Sequence, residues 1–389
     1  MIQSGSIDGV LRTATDSGRV AGVVAVAANA DGVVYEGAFG RRMLGGDVPM
    51  TLDTVFSIAS MTKAITGAAA MQLVEQGKVT LDEPLGRFAK QLAEPQVLEG
   101  FDPSGVPRLR PARRPITLRH LMTHTAGFGY DVWNADLRRY GEVTGKPGAR
   151  TGLLAGLDAP LVFDPGERWE YGINIDWIGR VVEAISGEDL ETYFRAHLFA
   201  PLGMPDTGFV PTDAQAARGA GMHVRAPDGS LTGTPYQKPS FPEFYPGGGG
   251  LFSTGRDYLR FLQALMHGGS LDGARVLKPE TVALMGENHM GALDVLPMRT
   301  SDPAASNHVE LFPGMAKKWG LSFLINTEDA PTGRSAGSLC WAGLRNTYYW
   351  LDPKKRVAGV LLTQILPFGD PTVLGLLDAF EGEVYKALA

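Results

Sequence analysis

Strand-forming text occurs towards the two ends of the chain and is missing from the long stretch between them. Residues 21–29 (AGVVAVAAN) and 33–38 (VVYEGA) are valine- and alanine-rich runs on either side of Ala30, Asp31 and Gly32, the pattern of a hairpin. Strand patterns return only after about residue 315, at 319–325, 338–344, 348–351 and 356–362, and a helix is predicted from 371 onward. Strands with one apolar face must pair to bury it, so the two ends predict one antiparallel sheet split across the chain. The expected architecture is α+β (mixed α/β): 1–82 plus 266–389 form a sheet-containing α/β domain, 83–265 form an inserted mainly helical domain, and the site lies between them. Helices are predicted at 60–76, 117–124, 174–186, 189–198 and 255–267, with no strongly alternating strand inside the insertion.

Composition narrows the function classes. With 389 residues, 44% hydrophobic and 20% charged, the chain can bury a large core, and 50 glycines with 26 prolines imply many turns and long loops, where sites are often placed. A net charge of -6 gives no broad basic surface, so no nucleic-acid partner is expected. The run Arg108, Arg110, Arg113 and Arg114, interleaved with Pro107, Pro111 and Pro115, reads as a solvated extended loop with no function. The single cysteine, Cys340, excludes an intrachain disulfide, and no basic region followed by an apolar run opens the sequence; a cytoplasmic location is the expectation. No stretch of about 20 uncharged apolar residues suggests a membrane span. One cysteine and seven histidines without an HExxH pattern give no metal site, and no cofactor is expected.

The chemistry begins at Ser60. In a helix, residues three apart share a face, so Ser60 and Lys63 in SMTK bring a hydroxyl and an amine together at a helix start. A serine hydroxyl becomes a useful nucleophile when a base takes its proton, and a lysine in apolar surroundings can be that base. A Ser-x-x-Lys match also arises by chance; this one takes its weight from standing at the head of an alanine-rich helix, directly after a strand region.

Three further stretches accompany it: LMTHTAG at 121–127, Tyr171 within WEYGINIDWIG, and GGGGLFST at 247–254. Together with SMTK they resemble the β-lactamase-like serine hydrolases, which include class C β-lactamases, D-alanyl-D-alanine carboxypeptidases and family VIII carboxylesterases. The resemblance covers nearly the whole length and implies a β-lactamase-like antiparallel sheet flanked by helices. It implies that Ser60 attacks an ester carbonyl, that Lys63 and Tyr171 share general base and acid work, and that an acyl-enzyme forms. It also implies an oxyanion hole made by the backbone N–H groups of Ser60 and Leu344. The family's Lys-Thr-Gly element corresponds here to Trp341, Ala342 and Gly343, which replaces a cation by an apolar wall and suits neutral esters. Its Tyr-x-Asn element departs too: Asn174 comes one place late after Tyr171. Trp341, Gly343 and Tyr130 are the expected pocket residues.

These readings point to a serine carboxylesterase acting on short acyl esters, with a small-molecule ester as its partner and a homo-oligomer left open. The alternatives are a β-lactamase or D-amino-acid peptidase, an acyltransferase using the same residues, and a non-enzyme sensor that is acylated without turnover. His124 reads as a helix-terminating residue bonded locally, Gly247 to Gly250 as a tight loop near the site, and Cys340 as a small buried hydrophobe. Residues 333–337 (GRSAG) match the G-x-S-x-G nucleophile elbow, but that arrangement needs a histidine downstream and the last one is His308. Ser335 is therefore given a loop role. Ser60→Ala is expected to abolish turnover of p-nitrophenyl esters while Ser335→Ala retains it; a dead Ser335→Ala enzyme would overturn the assignment.

Overall fold

The computed structural model describes Ile2 and residues 4–389. Its centre is a seven-stranded sheet whose strands are β1 (Gly22–Asn29), β2 (Gly32–Gly40), β3 (Lys317–Trp319), β4 (Leu324–Asn326), β5 (Leu339–Gly343), β6 (Thr347–Asp352) and β7 (Val357–Leu362). They are ordered β3-β4-β5-β6-β7-β1-β2, every pair antiparallel. The seam joining the two ends of the chain is β1 against β7, in register from Val24 opposite Leu362 to Asn29 opposite Val357.

Helices cover both faces of this sheet. On one side lie α1 (Gly5–Asp16) and α5 (Pro371–Leu388), which pack on each other; Phe380 of α5 meets the rings of Tyr35 and Trp350. On the other lie α2 (Thr62–Glu75) and α4 (Gly255–Met266); Gly255 packs on Val24 and Val26, and Tyr258 packs on Tyr349. Helix α2 is buried on every side from Thr62 to Leu73. Ala64, Ala68, Ala69 and Ala70 supply both helix propensity and the small surface that lets neighbours approach, and α3 (Asn174–Ser186) packs against it. Among the described residues no helix is long and apolar enough to cross a membrane.

The split antiparallel sheet and the helices at 174–186 and 255–267 follow the sequence reading. Three expectations need correction. The run 319–325 is not one strand: β3 and β4 flank a turn in which Gly320 N–H donates to Phe323 O and Ser322 takes a φ of +78°. The insertion is not free of strands, since Gln96–Phe101 pairs with Pro107–Pro111 and Met222–Arg225 pairs with Leu231–Thr234. The arginine run is therefore no simple loop. Arg110 lies on a paired strand and grips the buried Asp164 carboxylate at 2.8 and 3.0 Å, with prolines confined to the strand ends where no ladder donor is needed.

Helix α5 is fixed to the sheet side by a sealed ion pair: Arg334 Nε donates to Glu381 Oε1 at 2.9 Å, and both side chains are at most 5% exposed. Ser335 lies beside it, its N–H donating to Asp352 Oδ2 at 2.8 Å and its carbonyl accepting from Asn326 at 2.9 Å, so this buried serine holds a turn. Glu381→Ala leaves the Arg334 guanidinium buried without its counter-charge and is expected to cost about 3–5 kcal/mol of stability in urea unfolding.

Candidate active site

Ser60 stands in a single 3-10 turn, Ala59–Met61, that runs directly into α2. The predicted helix over 60–76 therefore begins two residues later, with the serine in its lead-in turn. The chain arrives through the two-residue strand Phe56–Ser57, paired with Phe252–Ser253, and must reverse within one residue to enter the helix. Ala59 makes that reversal at a φ of +44°, a left-handed conformation that costs a non-glycine residue about 1–3 kcal/mol and is tolerated where the surroundings fix it. Here Thr62 fixes it: its hydroxyl donates to Ala59 O at 2.6 Å and accepts from Leu251 N–H at 3.2 Å.

One turn into this segment, Lys63 is only 1% exposed. Its Nζ lies 3.1 Å from Ser60 Oγ, 3.1 Å from the Tyr130 hydroxyl and 2.5 Å from Gly248 O. The faces of Tyr130 and Tyr171 stand 5.2 and 4.8 Å from the same nitrogen. With one N–H serving Tyr130 and another serving Gly248, the third direction of the Lys63 nitrogen points to Ser60 Oγ, to which it donates at 3.1 Å.

Tyr171 is 4% exposed in an aromatic box with Trp133, Trp169, Trp319 and Trp341, and its hydroxyl accepts from Trp341 Nε1 at 2.9 Å. Trp341 thus stands behind Tyr171 rather than on the wall of the cavity that holds Ser60. Gly343 is not on that wall either. It is the point where β5 touches the nucleophile segment: a Cβ there would meet Ile58 O at 2.3 Å and Thr347 Oγ1 at 2.2 Å. The next residue, Leu344, does border the cavity together with Ser60, as does Tyr130.

The cavity itself measures about 300 Å³. Val132, Trp133, Phe241 and Phe252 give it apolar walls, while Arg345 and Asp176 are its charged members. Sequence reasoning missed both. Asp176 lies in the first turn of α3, where an acid reads as an ordinary helix-start residue, and Arg345 carries no motif of its own. The Asp176 carboxyl is buried; it accepts from Gly248 N–H at 2.9 Å and from the Tyr130 hydroxyl at 3.3 Å. Burial pushes its titration up from the ordinary carboxylate range, and the Lys63 charge pulls against that.

The remaining candidates serve the scaffold. His124 is fully buried; burial first and the Lys63 charge second hold its imidazole well below the usual range. Its backbone N–H bonds locally to Leu121 O at 3.3 Å just past the end of the helix Leu118–Met122, while its ring reaches some 50 residues along the chain, Nδ1 accepting from Gly172 N–H at 3.4 Å and lying 3.0 Å from Asn174 Nδ2. Asn174 also donates to Phe128 O at 3.2 Å, so the displaced asparagine is engaged by backbone and His124. The Gly247 to Gly250 run does form a tight loop at the site, bordering the cavity and receiving Lys63. Cys340 is buried, its thiol pushed up to about 11 by burial, on a separate cavity beside α5. Among the described residues no group of three or more His, Cys, Asp or Glu side chains could hold a metal ion.

The chain is similar to known proteins along nearly its whole length. The beta-lactamase family profile matches residues 7–380. A monacolin J acid methylbutanoyltransferase of Aspergillus terreus is 34% identical over 96% of this chain and 94% of its own. A lovastatin esterase of Penicillium rubens is 31% identical over 98% of both. The unliganded selenomethionyl simvastatin synthase (LovD) of Aspergillus terreus superposes with a TM-score of 0.84 at 32% identity, covering 97% of each chain.

The contact at Gly343 yields a test of this geometry. Because the obstructing atom is the Ile58 carbonyl, Gly343→Ala must push β5 away from the Ser60 segment, and ester turnover is expected to fall about 100-fold with the fold retained by circular dichroism.

Proposed function

The chain belongs to the beta-lactamase family, and from that premise we propose that it is a serine acyl-transferring enzyme. In this reading Ser60 takes an acyl group from a small ester and passes it to an alcohol, or to water when no alcohol is bound. The observation that carries it is the 3.1 Å contact between the buried Lys63 amine and Ser60 Oγ, opening on a cavity walled by Val132, Trp133, Phe241 and Phe252.

Ser60 Oγ attacks the acyl carbonyl as Lys63 Nζ receives its proton. The oxyanion is held by the backbone N–H groups of Ser60 and Leu344, each such donor contributing about 3 kcal/mol to the transition state. Tyr171, the residue named by the family resemblance, gives its own hydroxyl proton to the departing alcohol and is left as a phenolate that takes the acceptor's proton later, and Tyr130 holds Lys63 in place. The acceptor alcohol then repeats the steps in reverse, losing its proton to the same groups and taking the acyl group from Ser60.

Transfer is placed first because the 34%-identical relative is named a transferase; hydrolysis, as in the relative named an esterase, differs only in what occupies the acceptor position. A carboxylesterase close to family VIII is the second reading, and Trp341 in place of the lysine that resemblance assigns to carboxylate binding favours both over a β-lactamase or peptidase.

The test is turnover of p-nitrophenyl acetate, butyrate and octanoate with and without an added alcohol, beside a chromogenic cephalosporin. New ester is expected to form at the expense of free acid as alcohol is raised. Acid alone at every alcohol concentration would assign the esterase reading, one equivalent of product followed by arrest would assign the sensor, and a cephalosporin that outruns the esters would assign a β-lactamase. Tyr171→Phe is expected to lower kcat about 100-fold and Tyr130→Phe about tenfold; the opposite order would move the proton-transfer role to Tyr130.

A further inference from the structure

Four hydrogen bonds close a ring beneath Ser60. Asp176 Oδ1 accepts from Gly248 N–H at 2.9 Å; Gly248 O accepts from Lys63 Nζ at 2.5 Å; Lys63 Nζ donates to the Tyr130 hydroxyl at 3.1 Å; and that hydroxyl donates to Asp176 Oδ2 at 3.3 Å. The ring joins α2, the segment carrying Tyr130, α3 and the glycine loop, and the branch from Lys63 to Ser60 leads from it to the nucleophile. We propose that Asp176 is the positioning residue of this site: its carboxylate dictates the direction of every hydrogen bond in the ring and so keeps the third direction of the Lys63 nitrogen aimed at Ser60.

The argument is one of donors and acceptors. A carboxylate can only accept, so both the Gly248 N–H and the Tyr130 O–H must point at Asp176. With its one proton committed there, the Tyr130 oxygen can only accept from Lys63, and Gly248 O is an acceptor by nature. Lys63 must therefore donate twice within the ring, which leaves its third tetrahedral direction for Ser60: its N–H points there at 3.1 Å, and once that proton has gone the Ser60 proton is received along the same line. Space enforces the same pairing: a Cβ at position 248 would lie 2.4 Å from Asp176 Oδ2 and 2.9 Å from Oδ1, so only glycine lets the loop reach the carboxylate. One turn further along α2, the Thr66 hydroxyl donates to Gly247 O at 2.6 Å, so two successive carbonyls of the loop are docked on the helix that carries Lys63.

An asparagine at this position keeps the shape and reverses the logic. Its oxygen must face Gly248 N–H, which turns its NH2 group towards Tyr130. The phenol then accepts from that group and its own O–H swings to Lys63, occupying the lone pair that Ser60 needs.

The inference rests on Ser60 as nucleophile and Lys63 as its base, so the experiment reads the nucleophile without requiring any particular substrate. An alkyl fluorophosphonate forms an O–P bond at Ser60 Oγ and releases fluoride, while the serine proton passes to Lys63. Labelling of wild type, Asp176→Asn, Gly248→Ala and the double variant Asp176→Asn/Tyr130→Phe is followed to completion, resolving KI, kinact and the final labelled fraction. Asp176→Asn and Gly248→Ala are expected to reach one label per chain with KI unchanged and kinact about 100-fold lower. Removing the misdirected phenol in the double variant is expected to restore about tenfold of that loss. Wild-type kinact in the folded variants, or a smaller labelled fraction reacting at the wild-type rate, overturns the proposal, as does a double variant slower than Asp176→Asn alone. If Asp176→Asn does not fold, Gly248→Ala decides by the same criterion. Failure of wild type itself to label at Ser60 would instead sink the proposed function.

Discussion

Removing an amine from water costs several kcal/mol unless its hydrogen-bonding groups are met by partners, and the Lys63 amine lies at the centre of the protein with 1% of the residue exposed. The obligation is discharged by Ser60, three residues earlier, and by two groups from distant parts of the chain, the Tyr130 hydroxyl and the carbonyl of Gly248. Much of the local architecture follows from bringing these together. The glycine loop must run close to α2, α3 must begin where Asp176 can receive the loop, and α2 must be slim enough on its alanine faces to be surrounded. Ala59 bears the residual strain, because the serine has to leave a strand and enter that helix within a single residue.

Around this centre the aromatic side chains divide the labour. Trp133, Trp169, Trp319 and Trp341 encase Tyr171, and the Trp341 indole N–H fixes the orientation of its hydroxyl. Trp341 on β5 thus acts on a neighbouring tyrosine.

The sequence carried the frame well and the electrostatics poorly. Ser60 and Lys63 are legible because helical spacing alone brings them together, and the split sheet is legible because valine-rich runs bracket a helical interior. Tyr171 is legible only through resemblance, since a tyrosine between tryptophans otherwise reads as core. Asp176 was hidden: an acid in the first turn of a helix is so common that its second role, receiving Gly248 and Tyr130, leaves no trace in composition or period. The merging of β3 and β4 has a different cause. Their turn is only Gly320 to Phe323, and its Leu321 and Phe323 are buried, so an apolar pattern runs on through the Gly320 and Ser322 that make the turn. The hairpin of Gln96–Phe101 with Pro107–Pro111 was masked by prolines and arginines that belong to its exposed rim and to the Asp164 contact.

The seam between β1 and β7 carries a consequence for the life of the chain. Ser60 and Lys63 are made early, but the strand that presents Leu344 beside them, and the strand that closes the sheet against β1, are made some 280 to 300 residues later. A ribosome adds about 5–20 residues each second, so a nascent chain carries Ser60 and Lys63 for many seconds with no strand to complete the pocket. The pairing that ends this interval spans most of the polypeptide, the kind of high contact order that makes folding slow. The contacts that bring Leu344 beside Ser60 thus wait on the last strands finding the first.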